Sequence, residues 1–358
     1  MSSLFDKYLH ENESIFLNGV ALDYDFQPKK VLYREAQQEY MARCMKPLFS
    51  KRNGRNILIH GPPGVGKTVC VKQVFNELDE TTDDVIPIYI NCWKKDTPHK
   101  IALEICSIIG YHFTHNKGTG ELEREIVKIL NKTAVVFCLD EVDKVSDFSI
   151  LYSLLEDIYH KSIFLITNNR EWVVSLDVRI QSRLTLDELQ FEPYSPSQVR
   201  EILSQRKDHA FVSGTFSDEA FETVVSKAIE VGDLRSGLFL LREAGNAAEE
   251  RASRTVLLEH AKDAVQRLRD FSTKGTTLLE EDEKAIVEIV KIHSGLTVAE
   301  IYEHYKKDFS KSYRTFMRKV DFLTKNRLIT ANQVTSEKGG KTFTLRPSGG
   351  ELRKLSEF

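Results

Sequence analysis

The residues Gly61-Pro62-Pro63-Gly64-Val65-Gly66-Lys67-Thr68 fit the pattern G-x-x-x-x-G-K-[ST] at every fixed position. Glycines let backbone N–H groups close around phosphates, Lys67 brings a point charge to the β/γ oxygens, and Thr68 offers a hydroxyl to Mg²⁺. With Val69 opening into a helix, the run predicts a site for ATP or ADP, its phosphates at the positive end of the helix dipole. A second feature is Val135-Val136-Phe137-Cys138-Leu139-Asp140-Glu141-Val142-Asp143. An apolar strand ending in Asp-Glu delivers Asp140 to the metal and sets Glu141 to polarise an attacking water. Adjacent carboxylates repel each other unless a cation lies near them. Asn168, after Phe164-Leu165-Ile166-Thr167, can hold that water, although asparagine is also common at strand ends. Arg179, Arg183 and Arg235 are guanidinium groups able to stabilise transition-state charge, or simply surface ion-pair partners.

Several elements are needed to position these groups. A helix is predicted from Tyr33 to Phe49, then strands at Asn56–His60, Val85–Asn91, Ala134–Leu139 and Ser162–Thr167. Helices are expected at Thr68–Leu78, His99–Gly110, Glu121–Asn131 and Phe148–His160. Short apolar strands alternating with helices predict an α/β fold, a parallel sheet covered on both faces. Residues 1–30 read as a loosely anchored leader, 31–194 as the nucleotide-binding domain and 195–270 as a helical lid. Asp270 to Thr277 reads as a linker, and residues 281–358 as a small unit of three helices and a hairpin.

A chain of 358 residues is too long for one ordinary core. Its 41% hydrophobic and 29% charged content is that of a soluble globular protein, expected in the cytoplasm. No apolar run is long enough to span a bilayer and no secretory signal is visible, so a membrane is not an expected partner. Five cysteines without CxxC spacing read as reduced thiols. The net charge of −3 hides an asymmetry: residues 304–346 carry 11 basic against 3 acidic groups. That fits a polyanion partner or a solvated cationic surface. In the third C-terminal helix, read from Lys311 to Lys325 with Ser310 as cap, Phe316, Val320 and Leu323 share an inward face. Lys311, Arg314, Arg318 and Lys325 share another. With Lys338 and Lys341 at a hairpin tip, they suit a winged helix gripping double-stranded DNA, helix in the major groove and wing on the backbone or minor groove.

The order of phosphate loop, Asp140-Glu141, strand-end Asn168, Ser182-Arg183 and Gly232-Asp233-Leu234-Arg235 resembles an AAA+ ATPase. With Tyr33-Arg34-Glu35, Phe191-Glu192-Pro193-Tyr194 and a C-terminal winged helix, it resembles archaeal replication initiators of the origin-recognition and cell-division-control type. The resemblance runs from about Ile15 to about Pro347 and implies a AAA+ P-loop sheet, a helical lid and a winged-helix domain. It implies Asn168 as sensor 1, Arg235 as sensor 2, Tyr194 and Arg206 as nucleotide contacts, and Arg183 or Arg179 as a finger offered to a neighbouring subunit. It also implies origin DNA, other initiator subunits and a replicative helicase as partners, and association with the nucleoid. The chain departs from the family pattern at Val65, Ser182-Arg183 and Leu234, none of which removes a charge the chemistry needs. A branch-migration motor and a non-replicative ATP-gated DNA regulator are the alternatives.

Overall fold

In the computed structural model, the described residues are 14–145, 147–277, 280–309, 311–325, 328–335 and 341–347. The chain divides into two compact units, Met1–Thr215 with Val225–Arg242, and Phe216–Val224 with Glu243–Phe358.

The first unit opens with α1 (Glu35–Met45), extended by the 3-10 turn Lys46–Ser50, and β1 (Ile57–His60). Then follow α2 (Lys67–Thr81), β2 (Val85–Asn91), α3 (Pro98–Ile108), α4 (Thr119–Leu130) and β3 (Ala134–Asp140). After α5 (Ser149–Asp157), β4 (Lys161–Thr167), α6 (Val178–Leu184) and β5 (Asp187–Gln190) comes α7 (Pro196–Ala210). The strands form one sheet in the order β2-β3-β4-β1-β5, every neighbouring pair parallel. Every residue of β1 and β3 is buried, because helices cover both faces. The two-residue period assigns side chains to layers. Leu58, Ile88, Val135, Phe137 and Leu165 pack with residues of α3, α4 and α5. Ile57, Ile59, Val136, Cys138 and Phe164 pack with residues of α1 and α2. All five cysteines are free and buried.

Three expectations change. Residues from Ile15 onward are not loosely held: Leu17 and Asn18 N–H both donate to Ala210 O (2.8 and 3.1 Å), and Ala21 and Leu22 are fully buried. The fifth strand, β5, was not expected; Asp-Glu-Leu-Gln alternates half-buried and exposed residues at the sheet edge, so it shows no apolar run. After α8 (Asp218–Val231) and α9 (Leu234–Glu250), α10 runs from Leu258 to Thr277, through the stretch read as a linker. A helix nucleated at Leu258 propagates through weak helix formers such as Gly275 at modest cost per residue.

The second unit contains α11 (Glu281–Ile292), α12 (Val298–Tyr305), α13 (Tyr313–Lys325) and the antiparallel pair β6 (Ile329–Thr335) and β7 (Lys341–Pro347). Gly295 N–H donates to Leu345 O (2.8 Å) and Leu345 N–H to Leu296 O (2.9 Å), adding an isolated antiparallel bridge between Thr297 and Thr344. Ile286, Val290, Ile301, Phe316, Val320, Leu323 and Leu345 form its core. Three helices with such a sheet make a winged helix. Among the described residues, no helix is long and apolar enough to cross a membrane.

Candidate functional site

Parallel sheets bind ligands outside the carboxyl ends of their strands, and β1, β3 and β4 all deliver site residues there. β1 runs into the phosphate loop, which caps α2. At Gly66 (φ +86°) an added Cβ would lie 2.7 Å from the Tyr194 hydroxyl; at Gly64 (φ +76°) it would lie 2.2 Å from Asp233 Oδ1. Both positions require glycine, for backbone conformation and for space.

Lys67 opens α2 and is almost fully buried. Its Nζ donates to Gly61 O (2.7 Å), Pro62 O (2.8 Å) and Asn168 Oδ1 (2.7 Å). Burial pulls its pKa down to about 8; Asp140 and Glu141 pull upward, and the Arg235 charge pushes further down. A buried ammonium held by neutral acceptors is poised to exchange them for phosphate oxygens.

Asp140 ends β3 and is buried. Its Oδ2 accepts from Thr68 Oγ1 (2.7 Å) and from Tyr89 OH (2.6 Å). Burial and the nearby Asp140 charge push the Tyr89 phenol far up, so it stays a permanent donor. Glu141 follows at φ +57°, left-handed backbone that costs roughly 1–3 kcal/mol in a residue with a side chain. Asn168 Nδ2 faces Glu141 Oε1 at 3.5 Å, so this amide spans Lys67 and Glu141. Burial raises the Glu141 carboxyl, and the charges of Asp140 and Asp143 raise it further. Asp143 is drawn the other way: burial works upward, but Lys144, 2.8 Å away, and the Thr167 hydroxyl at 2.9 Å outweigh it. One carboxyl inclined to take a proton therefore lies beside one held ionised. Thr68 and Asp140 are a donor set suited to Mg²⁺, which takes few protein ligands beside substrate phosphates.

Two residues here escaped sequence reasoning about roles. Tyr89 is one; its signal is the β2–β3 register that sets Asn91 beside Asp140. Arg34 is the other. It is buried, donates to Val65 O (2.9 Å) and Glu192 O (2.7 Å), and lies 4.1 Å from the Tyr194 ring centre. The sequence contains Tyr33-Arg34-Glu35, but nothing in that triplet says the guanidinium points at the phosphate loop.

Tyr194 reaches the loop through Gly66 and Arg34. Arg235 donates its backbone N–H to Asp233 Oδ1 (2.9 Å) and is half-buried. Other expected residues are engaged elsewhere. Arg206 is buried against the Phe26 ring (4.9 Å) and donates to Ala21 O (3.2 Å). Arg179 pairs with Asp177 (3.1 Å), and Arg183 with Glu156 (2.6 Å).

In the winged helix, Arg314 and Arg318 are exposed on α13. Lys311 precedes that helix and its Nζ bonds Asp282 Oδ2 (2.7 Å), so it does not extend the basic face. Lys325 closes α13, and Lys341 opens β7 instead of forming a hairpin tip. Ser310 and Lys338 lie outside the described residues.

A β-strand-mounted phosphate loop, an Asp-Glu strand end and a strand-end asparagine define a nucleotide-binding ATPase of AAA+ type. Residues 51–170 match the AAA domain family and residues 200–266 the Cdc6 AAA+ ATPase-type lid domain. The chain is 30% identical to the ORC1-type DNA replication protein 2 of Methanothermobacter thermautotrophicus, covering 99% of this chain and 97% of that protein. It is 30% identical to the ORC1-type DNA replication protein 1 of Sulfurisphaera tokodaii, covering 96% and 93%. The chain belongs to the family of ORC1-type DNA replication proteins. Its fold is similar to the Aeropyrum pernix ORC1 protein solved in complex with DNA, with TM-score 0.72, 26% identity and coverage of 94% and 95%. Cdc6p from Pyrobaculum aerophilum shares the fold at 17% identity, TM-score 0.64, over 94% of this chain and 96% of that one.

Proposed function

We propose that this chain is a replication initiator that binds origin duplex DNA, with ATP binding and hydrolysis as its switch. The observation that carries the reading is one chain holding both a complete hydrolytic constellation and a winged helix that presents Arg314 and Arg318 to solvent. Likeness over nearly full length to ORC1-type proteins supports it.

ATP is the substrate. Lys67 and the α2 N-terminus hold its phosphates. Mg²⁺, held by Thr68 and Asp140, would neutralise charge on the β- and γ-oxygens. Asn168 orients a water beside Glu141. The water oxygen attacks the γ-phosphorus, its proton passes to the Glu141 carboxylate, and the bond to the β-bridging oxygen breaks, leaving ADP and phosphate. Tyr194 and Arg235 contact the nucleotide; Arg206 would join them on leaving Ala21 O, and Arg183 or Arg179, on leaving Glu156 or Asp177, would reach a neighbouring subunit's ATP. Arg314, Arg318 and Lys325, with Lys338 and Lys341, meet DNA phosphates. The initiator acts in the cytoplasm at the nucleoid, alongside other initiator subunits, and helps load the replicative helicase.

Chromosome-wide footprinting with and without ATP tests this. Nucleotide-dependent protection at a replication origin is expected. Protection confined to promoters or mobile elements would overturn the initiator role while leaving the ATPase intact.

A further inference from the structure

A second concentration of positive charge lies at the amino end of β1, away from the phosphate loop. α1 ends near Arg43, the following 3-10 turn starts at Lys46, and the loop into β1 carries Arg52 and Arg55. These four cations line a cavity of about 450 Å³, with Tyr40 and the buried Cys44 in its wall. That volume is within the range of roughly 300–1,000 Å³ typical of ligand pockets. β1 separates this cavity from the phosphate loop. Its four residues at about 3.3 Å rise each put the two at opposite ends of the strand.

The cavity walls are tied down. Arg52 N–H donates to Pro47 O (3.1 Å), Gly54 N–H to Lys161 O (3.0 Å) and Arg55 N–H to Cys44 O (3.0 Å). Negative charge is sparse. Asp187 reaches Arg55 at 3.5 Å, a pair in which the arginine side chain is 70% exposed, and Asp187 also accepts from Tyr40 OH at 3.1 Å. Arg43 lies over the Tyr40 ring (5.8 Å). Among the described residues, Arg43, Lys46 and Arg52 have no ion-pair partner. The carboxyl end of α1 gives a reason for Arg43 and for Lys46, its C-cap residue, since cations there meet the helix dipole. Arg55 has Asp187; Arg52 has neither reason. Like charges around one cavity repel, and an anion relieves that repulsion. The planar fork of an arginine matches the paired oxygens of a phosphate group.

We propose that this basin is a second phosphate-binding site, separate from the nucleotide cradle. It takes a multiply charged phosphate ligand, whether a free polyphosphate or the phosphodiester backbone of a nucleic acid.

The experiment uses the full chain with Lys67→Ala, which silences the first site, and sodium tripolyphosphate as probe in isothermal titration calorimetry. Saturable binding is expected, and adding Arg43→Ala with Arg52→Ala weakens it about tenfold or more. In a second arm, Arg43→Ala with Arg52→Ala alone is titrated with duplex DNA across a salt series. A fall of about 2 in the log–log salt slope identifies a nucleic-acid backbone as the ligand, at ~0.9 per phosphate contact. Lost tripolyphosphate binding with an unchanged slope identifies a free polyphosphate. If neither probe responds to the double change, the proposal is overturned. Should the Lys67 variant fail to fold, wild-type protein saturated with ADP is acetylated with and without tripolyphosphate. Protection of Lys46 is expected, and equal labelling overturns the site.

Discussion

Gly64→Ala probes the closest approach in the nucleotide site. The new Cβ would stand 2.2 Å from Asp233 Oδ1 and 2.7 Å from its Cγ, on a backbone with φ of +76°. Left-handed backbone costs an alanine roughly 1–2 kcal/mol. The carboxylate must then move, and in moving it gives up the Arg235 N–H at 2.9 Å, a helix-cap bond worth about 1 kcal/mol. The total is about 2–3 kcal/mol, or roughly 4–12 °C in melting temperature for a unit of this size. Nucleotide affinity, read by titration with a fluorescent ATP analogue, falls with it because the loop is displaced. The clash and the backbone strain separate in a double-mutant cycle. Asp233→Ala removes the obstruction and leaves the strain, so the double variant should be about 1 kcal/mol more stable than the sum of the single effects. Asp233 Oδ2 is buried without a hydrogen-bond partner, so its removal also relieves an unsatisfied group. Strict additivity, with Gly64→Ala costing only the backbone strain, would refute the claimed contact.

Glu141→Gln should bind ATP normally and lose about 10²–10⁴ in turnover, the usual worth of a general base, measured by phosphate release. Because the carboxyl is raised and must be ionised to accept a proton, wild-type turnover falls on acidification at a higher pH than an ordinary carboxylate would give. That acid limb should vanish in the variant. Arg314→Ala with Arg318→Ala should lower the salt slope of DNA binding by about 2, and an unchanged slope would place DNA elsewhere. Lys319→Met should destabilise the winged helix by about 3 kcal/mol in chemical denaturation, because it strips a partner from buried Asp282 at 2.9 Å. Burial pushes Asp282 upward, but Lys311, Lys319 and Tyr305 outweigh it and hold the carboxyl at about 2. A lowered folded-state value means full stabilisation above the ordinary carboxylate pKa, lost as pH falls through about 2. Melting of the winged helix should follow that window, and Lys319→Met should narrow it.

The sequence revealed the elements whose hydrophobic pattern is strong. β1, β3 and β4 are buried throughout or nearly so, and their apolar runs stand out in the chain. β5 is an edge strand that pairs through its backbone on one side, so Asp187 and Glu188 face partners instead of a core. Lys67, Thr68, Asp140, Glu141 and Asn168 were legible because strand ends and a glycine-rich turn impose fixed spacing. Arg34 and Tyr89 were not, because neither sits in a motif of fixed spacing and each reaches the site only through a tertiary contact. Lys311 misled for a related reason. Helical spacing placed it on the basic face, but α13 starts two residues later and Asp282 on α11 captures its ammonium.

The phosphate loop is held at three consecutive residues. Asp233, just before α9, presses on Gly64. Arg34 takes Val65 O and passes the link to Glu192 O. The Tyr194 hydroxyl closes on Gly66, two residues before α7 begins. The two segments that launch the lid helices α7 and α9 therefore rest on the same short stretch of loop. A displacement of Gly64-Val65-Gly66 by a bound phosphate reaches both helix starts at once, with no intervening flexible chain to absorb it. Arg235 adds a charge term, since it depresses Lys67 in the absence of an anion. An arriving phosphate group would remove that repulsion and draw both cations to one ligand. On this reasoning, Arg34→Ala should uncouple the loop from the start of α7. ATP should still bind, while the nucleotide-dependent protection of α7 amides in hydrogen exchange disappears. Unchanged protection in Arg34→Ala would mean that the loop does not transmit nucleotide state through Val65.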